Sequence, residues 1–149
     1  MEERGSRIGL DPIDRVFTME NNDDAYYIWR NAGAKQKILI HIDAHHDMWW
    51  IADAHSINIA NFICAALKDE VVREVFWVAP DPAWETPRSR KPILRHIRKL
   101  TENYPGGPHE VHVGSEQIST VVLGKPLRIC PLALLPQIDE GVLLDIDVY

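Results

Sequence analysis

Long apolar runs are missing from this chain. No stretch approaches the roughly 18 consecutive apolar residues of a membrane span. The opening residues, Met1-Glu2-Glu3-Arg4-Gly5-Ser6-Arg7, also lack the apolar centre of a secretory signal, so a cytoplasmic, non-membrane protein is expected. Positive charge is short as well: 16 Lys and Arg against 22 Asp and Glu give a net charge of −6. That balance provides no basic face for a phosphate backbone, and nucleic acid is not an expected partner. Cysteine is scarce. Cys64 and Cys130 each sit in an apolar pattern, where the side chain serves as a small buried hydrophobe rather than half of a disulfide. Internal repeats and low-complexity tracts are also lacking. What remains is an ordinary globular composition, 46% hydrophobic and 26% charged, over 149 residues, enough for one domain with its own core.

The pattern along the chain is one of alternation. Asn21-Asn22-Asp23-Asp24 offers capping residues ahead of Ala25-Tyr26-Tyr27-Ile28-Trp29-Arg30, with Gly33 as terminator, which predicts a short helix. The run Lys37–Ile42 reads as a buried strand. Ser56 or Asn58 can open a second helix with Ile59, Phe62, Ile63, Ala66 and Leu67 at helical spacing, and Val71–Val78 reads as the next buried strand. Four prolines between residues 80 and 92 predict a loop or helix entry, and Ile93, Leu94, Ile97 and Leu100 predict a third helix, ended at Tyr104-Pro105-Gly106-Gly107-Pro108. Strand-like runs follow at His109–Val113, Thr120–Leu123, Leu127–Cys130 and Gly141–Asp147. Strands interleaved with helices predict a single α/β domain built on a mainly parallel sheet with helices on both faces.

Chemistry is concentrated at the ends of two of those strands. Asp43-Ala44-His45-His46-Asp47 follows the first apolar run, and Asp145-Ile146-Asp147 ends Val142-Leu143-Leu144. The carboxyl ends of strands in open α/β sheets are where ligands bind. Carboxylates with one imidazole suit Mn²⁺, Zn²⁺ or Fe²⁺. Asp43, His45, Asp47, Asp145 and Asp147 exceed the needs of a single four-coordinate ion, which suggests two ions sharing bridging carboxylates.

Each other feature has a plainer reading. A lone Asp-x-His triplet is commonly a turn or cap, and the distant second pair is what lifts it to a metal site. By strand alternation His41 shares a side with Asp43, as an orienting donor or a satisfied core histidine. His46 alternates away. His55 is the candidate proton shuttle, against the reading of a surface-loop histidine. His109 and His112 would lie on opposite faces of a strand and share no metal. Trp49, Trp50, Trp77 and Trp84 could line a peptide pocket but read more simply as core, and Arg88-Ser89-Arg90-Lys91 as a solvated loop.

Three stretches, His41-Ile42-Asp43-Ala44-His45-His46-Asp47, then Ile59-Ala60-Asn61-Phe62-Ile63 with Val75-Phe76-Trp77-Val78-Ala79-Pro80, and finally Leu144-Asp145-Ile146-Asp147, resemble in order the UPF0489 family, which includes peptide arginases, within the arginase and deacetylase (ureohydrolase) superfamily. The resemblance implies an Mn²⁺-dependent hydrolase that converts arginine side chains of peptides, or a small guanidino substrate, to ornithine and urea. By position it implies that Asp43 and Asp145 bridge two ions, that His45 and Asp147 ligate one of them, and that Asp47 ligates the other and orients the nucleophile. Two departures accompany it. Asn22 stands where the family pattern has a histidine ligand, and the superfamily continues beyond its second motif with further strands and an acidic substrate-binding residue, so this chain resembles a truncated relative or the N-terminal part of a longer domain. Completion of the sheet edge by a second copy is a further expectation. The alternatives are a catalytically silent metal- or peptide-binding relative and a mononuclear zinc amidohydrolase of the deacetylase type.

Overall fold

The computed structural model describes residues 9–11, 16–53 and 56–147. A small antiparallel ribbon of β1 (Gly9–Asp11) and β2 (Val16–Thr18) precedes the main body. The body is a six-stranded sheet of β3 (Lys37–Ile42), β4 (Val72–Val78), β5 (His112–Val113), β6 (Ile118–Val122), β7 (Lys125–Cys130) and β8 (Val142–Ile146), in the order β5-β6-β7-β4-β3-β8. Strands β7, β4, β3 and β8 are parallel, whereas β5 and β6 are added antiparallel at the β7 edge. With α1 (Asp24–Asn31), α2 (Phe62–Lys68) and α3 (Lys91–Asn103), the fold is α/β on a mixed, mostly parallel sheet. The antiparallel edge comes from a two-residue hairpin: Leu123 and Gly124 both have positive φ, 52° and 71°, the backbone of a turn whose twist suits a tight hairpin.

The direction of the crossovers decides which face each connection covers. Passing from β3 through α2 to β4, and from β4 through α3 toward β7, the chain steps twice toward the same edge. Right-handed crossovers therefore place both helices on one face. Leu39, Val75, Trp77, Leu127 and Ile129 from that face share one core with Ala25, Tyr26 and Trp29 of α1, Phe62–Leu67 of α2, and Ile93, Ile97 and Leu100 of α3. The return from β7 to β8 runs the other way and so crosses the opposite face. There Ile40, Val78 and Cys130 are covered by Leu135 and Ile138 of that connection.

Helices on both faces were expected, and the described residues do not have them. The returning segment is bracketed by Pro131 and Pro136 and forms only a single 3₁₀ turn, Leu132–Leu134, since proline removes donors a longer helix would need. α2 also starts later than expected, at Phe62, which leaves Ile59 outside the helix and 55% exposed. The asparagines take the backbone instead: Asn58 N donates to Asn61 Oδ1, Ala60 N to Asn58 Oδ1, and Asn61 Nδ2 to the Ser56 carbonyl, local bonds that compete with helix. α1 ends as expected, with Gly33 at φ 77° and Ala34 N bonded back to the Trp29 carbonyl. Both cysteines are free and buried. Among the described residues, no helix is long and apolar enough to cross a membrane.

Candidate metal centre

Parallel pairing of β3 with β8 sets His41 opposite Asp145, so both side chains emerge on the helix-covered face near the carboxyl ends of their strands. His41 Nδ1 lies 2.8 Å from Asp145 Oδ2, and its Nε2 lies 2.7 Å from the His45 carbonyl oxygen. A carbonyl only accepts, so Nε2 donates to His45; Nδ1 donates as well, and the ring is an imidazolium, when the Asp145 oxygen it faces is ionised. Burial opposes that charge, but the Asp145 hydrogen bond and the charges of Asp145, Asp47 and Asp43 outweigh it and raise the His41 pKa. Nε2 also faces Asp47 Oδ2 at 3.5 Å and Asp43 Oδ2 at 3.7 Å.

The loop after β3 holds the other two carboxylates. Asp43 continues the ladder through its N–H to the Val78 carbonyl, and its own carbonyl accepts from Trp77 Nε1 at 2.8 Å. Its Oδ1 accepts from the His45 N–H at 2.9 Å, while its Oδ2 is buried with no hydrogen-bond partner among the described residues. Asp47 has φ 56°, a left-handed conformation that aspartate tolerates better than most residues. Its carbonyl accepts from Ile63 N at the start of α2, which ties the loop to the helix. Burial first, then the Asp43 and Asp145 carboxylates, push the Asp47 pKa up to about 8 against the pull of His41.

His41, Asp43 and Asp47 form a buried group whose ligand atoms all lie within 4.8 Å of one another, and this group could hold a metal ion. The orphaned Asp43 oxygen and the protonation pressure on Asp47 are what such a cation would relieve. To ligate, His41 would release the Nε2 proton and its carbonyl partner; the Nδ1 bond to Asp145 is the orienting bond that ligating histidines have. The donor set, carboxylates with one imidazole, fits a divalent ion of intermediate hardness.

Asp145 and Asp147, expected as ligands, lie outside that three-residue group: Asp145 is linked to it through His41 Nδ1 and Asp147 through Asn22. Asp147 N donates to the Ile42 carbonyl at 3.0 Å, and Asp147 Oδ2 accepts from Asn22 Nδ2 at 3.2 Å. Asn22 also donates to Asp47 Oδ2 at 3.3 Å. The expected capping of α1 is not made by side chains: the cap residue is Asp23, without a side-chain cap bond, and Asn22 turns into the cluster instead. His45 takes a different place from the expected inner ligand. Its side chain is 75% exposed, with Nδ1 at 3.5 Å from Asp43 Oδ1, so it sits on the solvent side of Asp43. The inner histidine is His41, which period-two alternation had placed beside Asp43 without assigning it as a ligand. His55 lies outside the described residues.

His46 is buried between Trp49, Trp77 and His96, with ring centroids 4.4, 5.7 and 6.3 Å away. Its Nδ1 accepts from Met48 N at 2.9 Å. Burial, with smaller contributions from His96, His41 and His45, lowers its pKa to about 3, so it is a neutral packing element. The tryptophans are scaffold too. Trp77 is buried, Trp50 packs on Tyr104 at 5.3 Å under Lys68, and Trp84 Nε1 donates to the Ala79 carbonyl. His109 and His112 both line an open groove of about 570 Å³ with Ser119 and Arg128; His109 lies ahead of β5, so strand alternation does not separate the pair. None of the groove's lining residues belongs to the carboxylate cluster. No protein-family model, curated protein or solved structure matches this chain.

Proposed function

We propose that this chain is a divalent-metal-dependent hydrolase of the ureohydrolase type, acting on a guanidinium group, with arginine in a peptide as the substrate and Mn²⁺ as the metal. The observation that carries the reading is the gathering of Asp43, Asp47 and Asp145 around His41, with Asp147 tied to Asp47 through Asn22 and the buried Asp43 Oδ2 making no hydrogen bond among the described residues. Asp43 and Asp47 would hold the ion with His41 or Asp145 completing the set. When bound, such an ion supplies Lewis acidity and acidifies water at neutral pH.

The chain's own residues account for the remaining tasks. A planar cation such as guanidinium is drawn to a cluster whose carboxylates outnumber its imidazolium. Trp77 and the α2 start hold the loop rigid, through the Asp43 and Asp47 carbonyls, so the carboxylates need not reorganise. His45, exposed beside Asp43, is placed to carry a proton between the cluster and solvent.

The test is to load the protein with Mn²⁺, incubate it with arginine-containing peptides and with free arginine, and assay for urea and for the mass loss that marks ornithine. Urea formation that disappears in Asp43→Asn supports the reading. Lack of product from every arginine substrate, with metal demonstrably bound, removes it.

A further inference from the structure

The amide of Asn22 lies between two carboxylates from separate turns, those after β3 and β8. Its Nδ2 is 3.3 Å from Asp47 Oδ2 and 3.2 Å from Asp147 Oδ2. An amide nitrogen carries two hydrogens and no acceptor capacity, so one NH₂ group can serve both oxygens, and both oxygens, when ionised, can only accept. We infer that Asn22 is an internal stand-in for a second cation: its NH₂ bridges Asp47 to Asp147 and limits the cluster to one divalent ion per chain. The inference rests on the metal-site reading and adds to it the number of ions and the residue that sets it.

The inner group and the Asn22 bridge meet at one oxygen, Asp47 Oδ2, which lies 3.5 Å from His41 Nε2 and 3.3 Å from Asn22 Nδ2, but their surroundings differ. On the inner side, Asp43 Oδ2 is buried without a hydrogen-bond partner, its side chain 1% exposed, and the ligand atoms of His41, Asp43 and Asp47 are close enough to share an ion. On the outer side the gap between Asp47 and Asp147 is already filled by a neutral donor. A divalent ion bonded to carboxylate oxygens sits roughly 2.0–2.2 Å from each. An ion between Asp47 and Asp147 would therefore need the space and the lone pairs the NH₂ group now uses. The turn that opens α1, in which Ala25 N donates to the Asn22 carbonyl at 3.1 Å, fixes the Asn22 backbone beside the cluster, and the two carboxylates hold its side-chain amide.

The experiment counts ions rather than turnover. The apo chain and the Asn22→Asp variant, which exchanges the NH₂ donor for an oxygen of the same shape, are titrated with Mn²⁺ by calorimetry, and the bound metal is measured by elemental analysis after desalting. One equivalent on the native chain and two on Asn22→Asp is the expected result. Two equivalents on the native chain overturn the inference while leaving the metal reading intact, and one equivalent on both proteins overturns the role of Asn22. An absence of tight binding by the native chain overturns the metal reading and the inference with it. If the added negative charge prevents folding without metal, Asn22→Ser removes the donor without adding charge, and a second equivalent binding at least about 10-fold more tightly than to the native chain is then expected.

Discussion

The two faces of the sheet are built from similar residues and finished differently. On one, Leu39, Val75, Trp77, Leu127 and Ile129 meet three helices and are at most 1% exposed. On the other, Ile40, Val78 and Cys130 are covered by a proline-bracketed segment through half-buried Leu135 and Ile138. Beyond its reach, Val142, Leu144 and Ile146 of β8 are 36%, 55% and 56% exposed. Strand composition alone therefore does not report how a face is covered; the route of the crossovers does. The carboxylate cluster belongs to the well-covered face, where rigid neighbours can hold charged groups in place.

The comparison breaks most sharply at Trp77, which packs in the helix-covered core and donates to the Asp43 carbonyl. Trp77→Ala is expected to cost about 3–5 kcal/mol, read by urea unfolding, and to weaken Mn²⁺ binding as the Asp43 turn loosens. A loss under about 1 kcal/mol would show that this face is no better packed than the other. Leu39→Ala, without the polar contact, should cost about 2–5 kcal/mol and leave metal affinity nearer to native.

Acid provides a third probe of the covered face. The His46 pKa is about 3 folded, against 6.5 for an unperturbed histidine. The unfolded chain thus binds a proton that the folded chain refuses between these values. The stability from keeping His46 neutral is complete above pH 6.5 and is lost as pH falls toward 3. Between pH 6.5 and 5 the loss should be about 2 kcal/mol. Urea midpoints across this range in the native chain and in His46→Gln measure it; equal slopes in the two proteins would remove His46 as the cause.

Changes on the thinly covered face should be smaller. Leu135→Ala, at a half-buried position, is expected to cost about 1 kcal/mol, and Leu144→Ser no more than about 0.5 kcal/mol, by thermal or urea unfolding. A cost at Leu144 near that of Leu39 would mean that the exposed face is covered in solution.

The strands that carry the site were legible in the sequence, as Lys37–Ile42, Val71–Val78 and Gly141–Asp147, because each contains an apolar stretch rich in Val, Ile, Leu or aromatic residues, and the structure trims the last two to Val72–Val78 and Val142–Ile146. The nearness of the two motifs was legible too, because parallel neighbours bring their carboxyl ends together, but Asp145 reaches the first motif through His41 and Asp147 through Asn22. The choice of histidine was not. Alternation holds only while the chain remains a strand. It stops at Asp43, where a turn governed by the Asp43 Oδ1 bond to His45 N and by the left-handed backbone of Asp47 sends the His45 ring to solvent. The placement of the helices was illegible for another reason: it depends on strand order, and local patterns do not encode the position of β8 beside β3. The hairpin at Leu123-Gly124 was illegible as well: Leu123 reads as the end of a strand by its apolar side chain, and its left-handed backbone is not encoded in residue type.

The span of the cluster along the chain has a kinetic consequence. His41 and Asp145 are 104 residues apart, and Asn22 and Asp147 are 125 apart, whereas the α2 and α3 crossovers join nearer neighbours. Contacts that close such long loops form slowly and late. During synthesis or refolding, β3, β4 and the helices can collapse into a nucleus while His41 still lacks Asp145. The orientation of His41, and with it the full affinity of the site for metal, should therefore arrive with the docking of β8 rather than with the formation of β3.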